Sequence, residues 1–296
     1  MADATARDVG EFGLIARVVE RLGSSDLVLL GPGDDAAVIA TPDGRVVVTT
    51  DVLVEGVHFR QDWSTAYDVG RKAAAVNLAD LAAMGARGTA LVIGLAAPAE
   101  LAVEWALRLT DGLRDEAALV GACIVGGDVV RAPQISISVT ALGDLEGRAP
   151  VTRAGARPGD VVVLAGELGR SAAGLALLEQ GERSGPLVDA HRRPTPPYAA
   201  GIALAKAGAT AMCDVSDGLV GDVRHLTRAS GVRIDLDEAD ELFLTGGEDH
   251  ALVATLPPDV ELPEGCRAIG RVLAGEGVTV GGKARLRGVQ GWDHYA

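Results

Sequence analysis

Five short acidic clusters carry the chemical signal of this 296-residue chain: Gly33-Asp34-Asp35, Thr49-Thr50-Asp51, Asn77-Leu78-Ala79-Asp80, Gly126-Gly127-Asp128 and Asp214-Val215-Ser216-Asp217-Gly218. Each lies at a predicted strand or helix end, among small residues and close to a glycine. A lone Asp in such a place is also what a turn or a helix cap would carry. Five together, with hydrophobic strands running straight into TTD and GGD, point instead to carboxylates that converge on one cleft. Converging carboxylates repel one another unless a cation lies between them. Hard oxygen donors with small neighbours suit Mg²⁺, which takes one or two carboxylates and completes its shell with water and phosphate oxygens. Asn77 and Asp80 are three apart and share one helix face.

The elements that must position these residues alternate along the first half. A helix is predicted over 11–22, then a strand, a Gly-rich turn and a strand across 27–40. A strand follows at 45–53, and an Ala-rich helix over 64–84 with Ser64 as its N-cap. A strand at 89–96, a helix opened by Pro98 and running to about Leu119, and strands at 122–130 and 135–143 complete the half. The turn-rich stretch 143–160 is the predicted boundary. The second half opens with a strand at 161–166 and a helix over 169–180. The segment HRRPTPP reads as a loop before a helix at 198–207. MCDVSDGL reads as a strand entering a helix at 218–229, and HALVATL, RAIGRVL and GVTVGG as later strands. The pattern is α/β, in two domains, 1–148 and 149–296.

The nucleotide-binding signatures with a known mechanism are missing. There is no GxxxxGK[ST] loop, and Gly31-Pro32-Gly33 continues into Asp34-Asp35, so it is not a dinucleotide fingerprint. Phosphates bound here would have to be neutralised by cations that carboxylates hold. A net charge of −14 with no basic run argues against a nucleic-acid partner. The three cysteines, Cys123, Cys213 and Cys266, include no CxxC pair, so neither a disulfide framework nor a zinc site is expected. No apolar run reaches membrane-spanning length and the first residues carry no leader pattern, so no membrane association is expected. The sequence reads as that of a cytoplasmic protein.

Ten motifs then align with one family: GEFGLI (10–15), GDDAAV (33–38), TTDVLVEGVHF (49–59), AVNLADLAAMGA (75–86), GGD (126–128), SAAGLALL (171–178), RRPTPP (192–197), DVSDGLVGD (214–222), GGEDHALV (246–253) and GWDHY (291–295). In this set and order, spanning nearly the whole chain, the sequence resembles the thiamine-monophosphate kinases. These belong to a larger group of ATP-dependent enzymes that includes aminoimidazole ribonucleotide synthetase. The resemblance implies transfer of phosphate from ATP to thiamine monophosphate, the last step in making thiamine diphosphate, with several Mg²⁺ ions. It implies an N-terminal domain whose mixed sheet forms a homodimer interface, and a C-terminal α/β domain closing over the active-site cleft. Carried over position by position, Asp35, Thr49, Thr50, Asp51, Asp80, Asp128, Asp214 and Asp217 are the implied metal ligands. Gly127, Asp128, Arg153 and Ser216 are the implied nucleotide contacts, and His58, Glu248 and Trp292 the implied contacts to thiamine phosphate. No general base is implied.

Two features depart from that pattern. His250 follows GGED where relatives usually carry Tyr, and the stretch between Ile234 and Gly246 is short where they usually have an additional helical segment. Two alternatives stand beside this reading. One is another enzyme of the same group, acting on an amide, a carbamoyl oxygen or selenide. Against it, the chain ends in GWDHYA rather than a reactive cysteine, and no cysteine precedes Cys123. The other is a non-catalytic acidic protein that binds cations and needs no ATP.

Overall fold

The computed structural model describes residues 4–31 and 37–283, with Glu11 and Phe12 described by their main chain alone. Two compact units emerge, Met1–Leu81 with Arg87–Gly147, and Ala82–Ala86 with Arg148–Ala296.

The first unit contains α1 (Ala6–Val19), β1 (Val28–Leu30), β2 (Val38–Ile39), β3 (Val47–Val54), most of α2 (Ala66–Ala83), β4 (Arg87–Ala97), α3 (Val103–Ala118), β5 (Cys123–Arg131) and β6 (Ser136–Asp144). Its main sheet has the order β3-β6-β4-β5 and is mixed: β4 and β5 are parallel, the other pairs antiparallel. Helix α2 buries Ala73, Ala74, Ala75 and Ala79 completely. Alanine is the residue that lets such a helix be covered on several sides at little entropic cost. Helices α2 and α3 approach main chain to main chain. A Cβ at Gly70 would lie 2.1 Å from the Leu109 carbonyl oxygen, and one at Gly112 would lie 2.1 Å from that of Tyr67. The crossing is pinned at its side by an ion pair between Arg71 and the buried Glu116.

Three boundaries differ from the sequence reading. Helix α1 starts at Ala6 because Thr5 and Asp8 cap it reciprocally, and Gly10, at φ 69°, kinks it. Helix α3 starts at Val103, not Pro98, because residues 98–102 turn to meet the start of α1: Thr5 bridges Ala102, and Ala6 N–H donates to the Leu101 carbonyl. Ser64 is not the cap of α2. Thr65 is, exchanging hydrogen bonds with Asp68, whose carboxylate accepts from the Thr65 N–H at 3.0 Å and whose own N–H donates to the Thr65 hydroxyl at 3.2 Å.

The second unit contains β7 (Val161–Ala165), α4 (Arg170–Glu179), α5 (Pro186–Arg192), α6 (Tyr198–Lys206), β8 (Ala211–Val215), α7 (Leu219–Ser230), β9 (Arg233–Leu236), α8 (Glu241–Thr245), β10 (Ala251–Leu256), β11 (Cys266–Leu273) and β12 (Gly277–Val280). The six strands order β12-β9-β11-β7-β10-β8. Period-two alternation splits them between two cores. Val162, Leu164, Cys213, Val215 and Val253 pack with Leu219, Val223 and Leu226 of α7, while Val163, Ala165, Met212, Leu252 and Ala254 pack with Leu204 of α6 and the end of α2. Burial on both faces is why β7, β8 and β10 read as continuous apolar runs. The short α5, β9 and α8 were not foreseen from sequence.

Candidate active site

In the first unit, β3 offers the acidic cluster and α2 holds it. The Thr49 hydroxyl donates to Asp80 Oδ2 at 2.7 Å. Asn77, 0% exposed, accepts the Asp51 main-chain N–H on Oδ1 at 2.9 Å and donates through Nδ2 to the Ala73 carbonyl of its own helix. The Asn77 contact with Asp51 is to its main chain and not to its carboxylate.

Strand pleating decides which predicted ligands share a face. Thr49 and Asp51 alternate with Val48, Thr50 and Val52. The Thr50 hydroxyl donates to the Val139 carbonyl at 3.0 Å and accepts from the Thr140 hydroxyl at 3.2 Å. Its side chain is therefore not brought together with Thr49 and Asp51. Asp128 follows the same logic: it pairs with Gly94, Gly94 with Ser138, and Ser138 with Val52. Through that row Asp128 lies on the Val52 face of the sheet, exposed, its Oδ1 accepting the Val129 N–H at 2.9 Å. Gly127 has a packing reason of its own, since a Cβ there would lie 2.1 Å from the Ile93 carbonyl oxygen.

His58 lies in the turn after β3. Its Nδ1 accepts the Val54 N–H at 3.0 Å, which in the neutral ring leaves the proton on Nε2. Its carbonyl accepts from Lys72 Nζ at 3.1 Å.

In the second unit, Asp214 is the penultimate residue of β8 and is buried, and His250 Nδ1 lies 3.2 Å from its Oδ2. Ser216 and Asp217 form the link to α7. The ladder of β8 with β10 extends past the strands to grip this link: Glu248 N–H donates to the Ser216 carbonyl at 2.8 Å and His250 N–H to that of Val215 at 3.0 Å. Glu248 and His250 take φ of 62° and 53°, a region uncommon for such side chains. Between them Asp249 closes the N-terminus of α4, accepting from the N–H groups of Gly169 at 2.6 Å and Ser171 at 2.7 Å.

The sequence reading quoted Asp222 in a motif but gave it no role. It is buried and accepts the Asp217 N–H on Oδ2 at 3.0 Å. Burial, with the charges of Asp214 and Asp217 added, pushes its carboxyl up to about 7. The crowding of Asp214, Asp217 and Asp222 is the repulsion that a divalent cation would relieve. Among the described residues, no three His, Cys, Asp or Glu side chains close a cation site by themselves. Asp35 and Trp292 lie outside the described residues.

Glu248 Oε2 lies 3.6 Å from Nδ1 of the buried His191, which the Ser171 hydroxyl also meets at 3.0 Å. Both groups use the same ring nitrogen, so the three do not form a relay that activates the serine. The arrangement steadies Glu248 instead. Arg153 is exposed, and its carbonyl accepts from the Ser230 hydroxyl at 3.2 Å.

Comparison with known proteins adds family. Residues 33–145 match the AIR synthase related protein, N-terminal domain, and residues 157–283 its C-terminal domain. The thiamine-monophosphate kinase of Mycobacterium tuberculosis is 50% identical over 312 positions, covering 98% of this chain and 93% of that protein. That span exceeds the 296 residues here, so the mycobacterial protein carries positions inside the match that this chain lacks. The crystal structure of thiamine-monophosphate kinase from Stenotrophomonas maltophilia K279a superposes with a TM-score of 0.79 at 35% identity, covering 92% of this chain and 95% of that one. A structure described as AaThiL complexed with AMPPCP and TMP superposes with a TM-score of 0.79 at 34% identity, covering 97% and 98%. With half of its residues identical to such a kinase over nearly its full length, the chain belongs to the thiamine-monophosphate kinase family of AIR synthase related proteins.

Proposed function

We propose that this protein is an ATP-dependent kinase that phosphorylates thiamine monophosphate to thiamine diphosphate. The observation that carries the reading is the likeness, over nearly the full length of both chains, to a structure described as complexed with AMPPCP and TMP. In this reading residues 1–148 form the ATP- and Mg²⁺-binding and dimerisation domain, and residues 149–296 the domain that closes over the cleft.

The donor set fits Mg²⁺. Thr49, Asp51 and Asp80 supply hard oxygens from β3 and α2, Asp214 and Asp217 supply carboxylates whose charge adds to burial in raising Asp222, and Asp35, Thr50 and Asp128 complete the implied set. Bound there, Mg²⁺ neutralises phosphate charge. The implied ligands Thr50 and Asp128 stand together on the face of the β3 sheet opposite to that of Thr49 and Asp51, where the Thr50 hydroxyl already donates to the Val139 carbonyl. Ser216, Gly127 and Arg153 bind the nucleotide. His58 donates from Nε2 to the acceptor phosphate, and Glu248, with Trp292, holds the thiamine part.

No general base is required. A phosphate monoester has a second pKa of about 6, so at neutral pH the acceptor oxygen is already mostly deprotonated. The residues need only orient two anions and screen their charge, and transfer is direct.

Homodimerisation through the N-terminal sheet is supported by an uncovered apolar face. Val48, Val52 and Val130 are 60%, 48% and 52% exposed, far more than a closed sheet face allows. A cytoplasmic location is supported by the three unpaired cysteines. Among the described residues, no helix is long and apolar enough to cross a membrane.

A coupled assay of ADP release tests the proposal. Thiamine monophosphate should support turnover and free thiamine should not. Equal kcat/KM for the two compounds, or no turnover with either, overturns it.

A further inference from the structure

Lysine is rarely buried unless its amine is satisfied, because its polar end otherwise loses water without replacement. Lys72 is 3% exposed, in the second turn of α2, and its amine donates to the His58 carbonyl at 3.1 Å. Nothing in the family motifs or the functional reading above assigns it a task.

Its place among the contacts of α2 suggests one. The same helix reaches β3 and the following turn at three points: Asp80 accepts from the Thr49 hydroxyl, Asn77 accepts the Asp51 N–H, and Lys72 holds the His58 carbonyl. The first two position the acidic cluster. The third positions the histidine. The turn is drawn tight by its own bonds: the N–H groups of Val57 and His58 both donate to the Val54 carbonyl, at 3.1 and 2.9 Å, and Gly56 N–H donates to the Phe59 carbonyl at 2.7 Å. The ring folds back so that Nδ1 accepts the Val54 N–H. Lys72 fixes the main chain from which that ring hangs, and the ring bond fixes its tautomer. Together they determine where Nε2 presents its proton.

We propose that Lys72 is a positioning residue for the acceptor phosphate, acting through His58; this rests on the reading that His58 contacts that phosphate. In this role Lys72 acts on the acceptor side. Its loss should weaken thiamine monophosphate without weakening ATP.

The test is steady-state kinetics of the full chain with Lys72→Met, His58→Ala and the double variant. Methionine keeps the length and apolar stem of the side chain and removes the donor. In Lys72→Met, KM for thiamine monophosphate should rise about tenfold, the equivalent of one lost hydrogen bond, with KM for ATP within about twofold of the parent. The double variant should be no worse than His58→Ala, because two residues acting as one unit are not additive. Lys72→Gln, which retains a donor, should recover part of the loss. Any of these results overturns the inference: an unchanged KM for thiamine monophosphate in Lys72→Met, a parallel rise in both KM values, effects of the two single variants that multiply, or failure of both Lys72 variants to fold, which would assign the residue to stability alone. If His58→Ala leaves the acceptor KM unchanged, the role of His58 fails and the inference with it. If the parent itself does not use thiamine monophosphate, the functional reading is what has failed.

Discussion

Replacing Asp222 by Asn should make the metal-free protein more stable, by clearly more at pH 8 than at pH 5. Asp222 is 4% exposed, and its carboxyl is pushed from an ordinary 3.8 up to about 7, first by burial and then by Asp214 and Asp217. The folded-state value lies above the unfolded one, so the folded chain holds this proton more tightly. Below about pH 4 both states are protonated and the group contributes no difference. As pH rises from about 4 to 7 the unfolded chain ionises freely while the folded chain resists, and stability falls. Above about 7 the folded carboxylate is charged and the penalty is complete. A shift of about three units corresponds to about 4 kcal/mol at most, since each unit is worth about 1.4 kcal/mol.

Asn keeps an oxygen to accept the Asp217 N–H and has no proton to lose. The variant therefore escapes the full penalty at pH 8, by about 2 to 4 kcal/mol, and at pH 5 escapes only the part already incurred there, about 1 to 2 kcal/mol, because the unfolded parent is ionised while the folded one still holds its proton. The assay is urea unfolding in EDTA at both values, read as the difference between variant and parent, because other groups titrate in the same interval. Mg²⁺ added to the parent at pH 8 should recover part of the loss by screening the three carboxylates. Equal pH dependence in the two proteins would refute the claim that Asp222 carries the strain of this cluster.

Further outcomes follow from the same geometry. Asp51→Asn should lower turnover at least about 100-fold with the fold intact, since Asn77 grips the main chain at that position and not the carboxylate; activity within a few-fold at saturating Mg²⁺ and ATP would contradict it. Gly127→Ala places a Cβ 2.1 Å from the Ile93 carbonyl oxygen and should cost about 2 kcal/mol or more, visible as a lowered melting temperature before any ligand is added. Val52→Glu puts a charge on the uncovered face of the N-terminal sheet and should convert a dimer to monomer by light scattering; a monomeric parent at micromolar concentration would dismiss that interface. Transfer from ATP carrying a chiral γ-thiophosphate should invert at phosphorus, and retention would require an enzyme-bound phosphate that this reading excludes.

Much of the fold was legible because its signals are local. Apolar runs such as VVVLA (161–165) announced strands, and the alanine run announced α2. The short elements α5, β9 and α8 carry too few residues for a period to register, and packing decides them. Competing caps misled at Ser64, where the reciprocal partner of Thr65, three residues on at Asp68, was the stronger signal. At Pro98, pairing with the start of α1 overrode a good helix opener.

For the site, residue type told more than residue position. Oxygen donors in small-residue surroundings identified the chemistry, but not which donors share a face. Thr50 sits between two candidate ligands in the chain, yet pleating turns it to the other side. The motif GGD gives no hint that Asp128 aligns with Val52, because that alignment passes through β4 and β6, each distant in sequence. Lys72 is the sharpest case. In the string RKAAAVNLAD (71–80) it resembles any solvent-facing lysine, and only burial against the turn after β3 reveals that its amine is committed to the His58 carbonyl. Ligands advertise themselves by type, whereas the residues that hold them are ordinary in type and distinguished only by what the fold places beside them. The second group is therefore where a structure adds most to a sequence of recognised family, and where substitution separates a positioned side chain from one that is merely present.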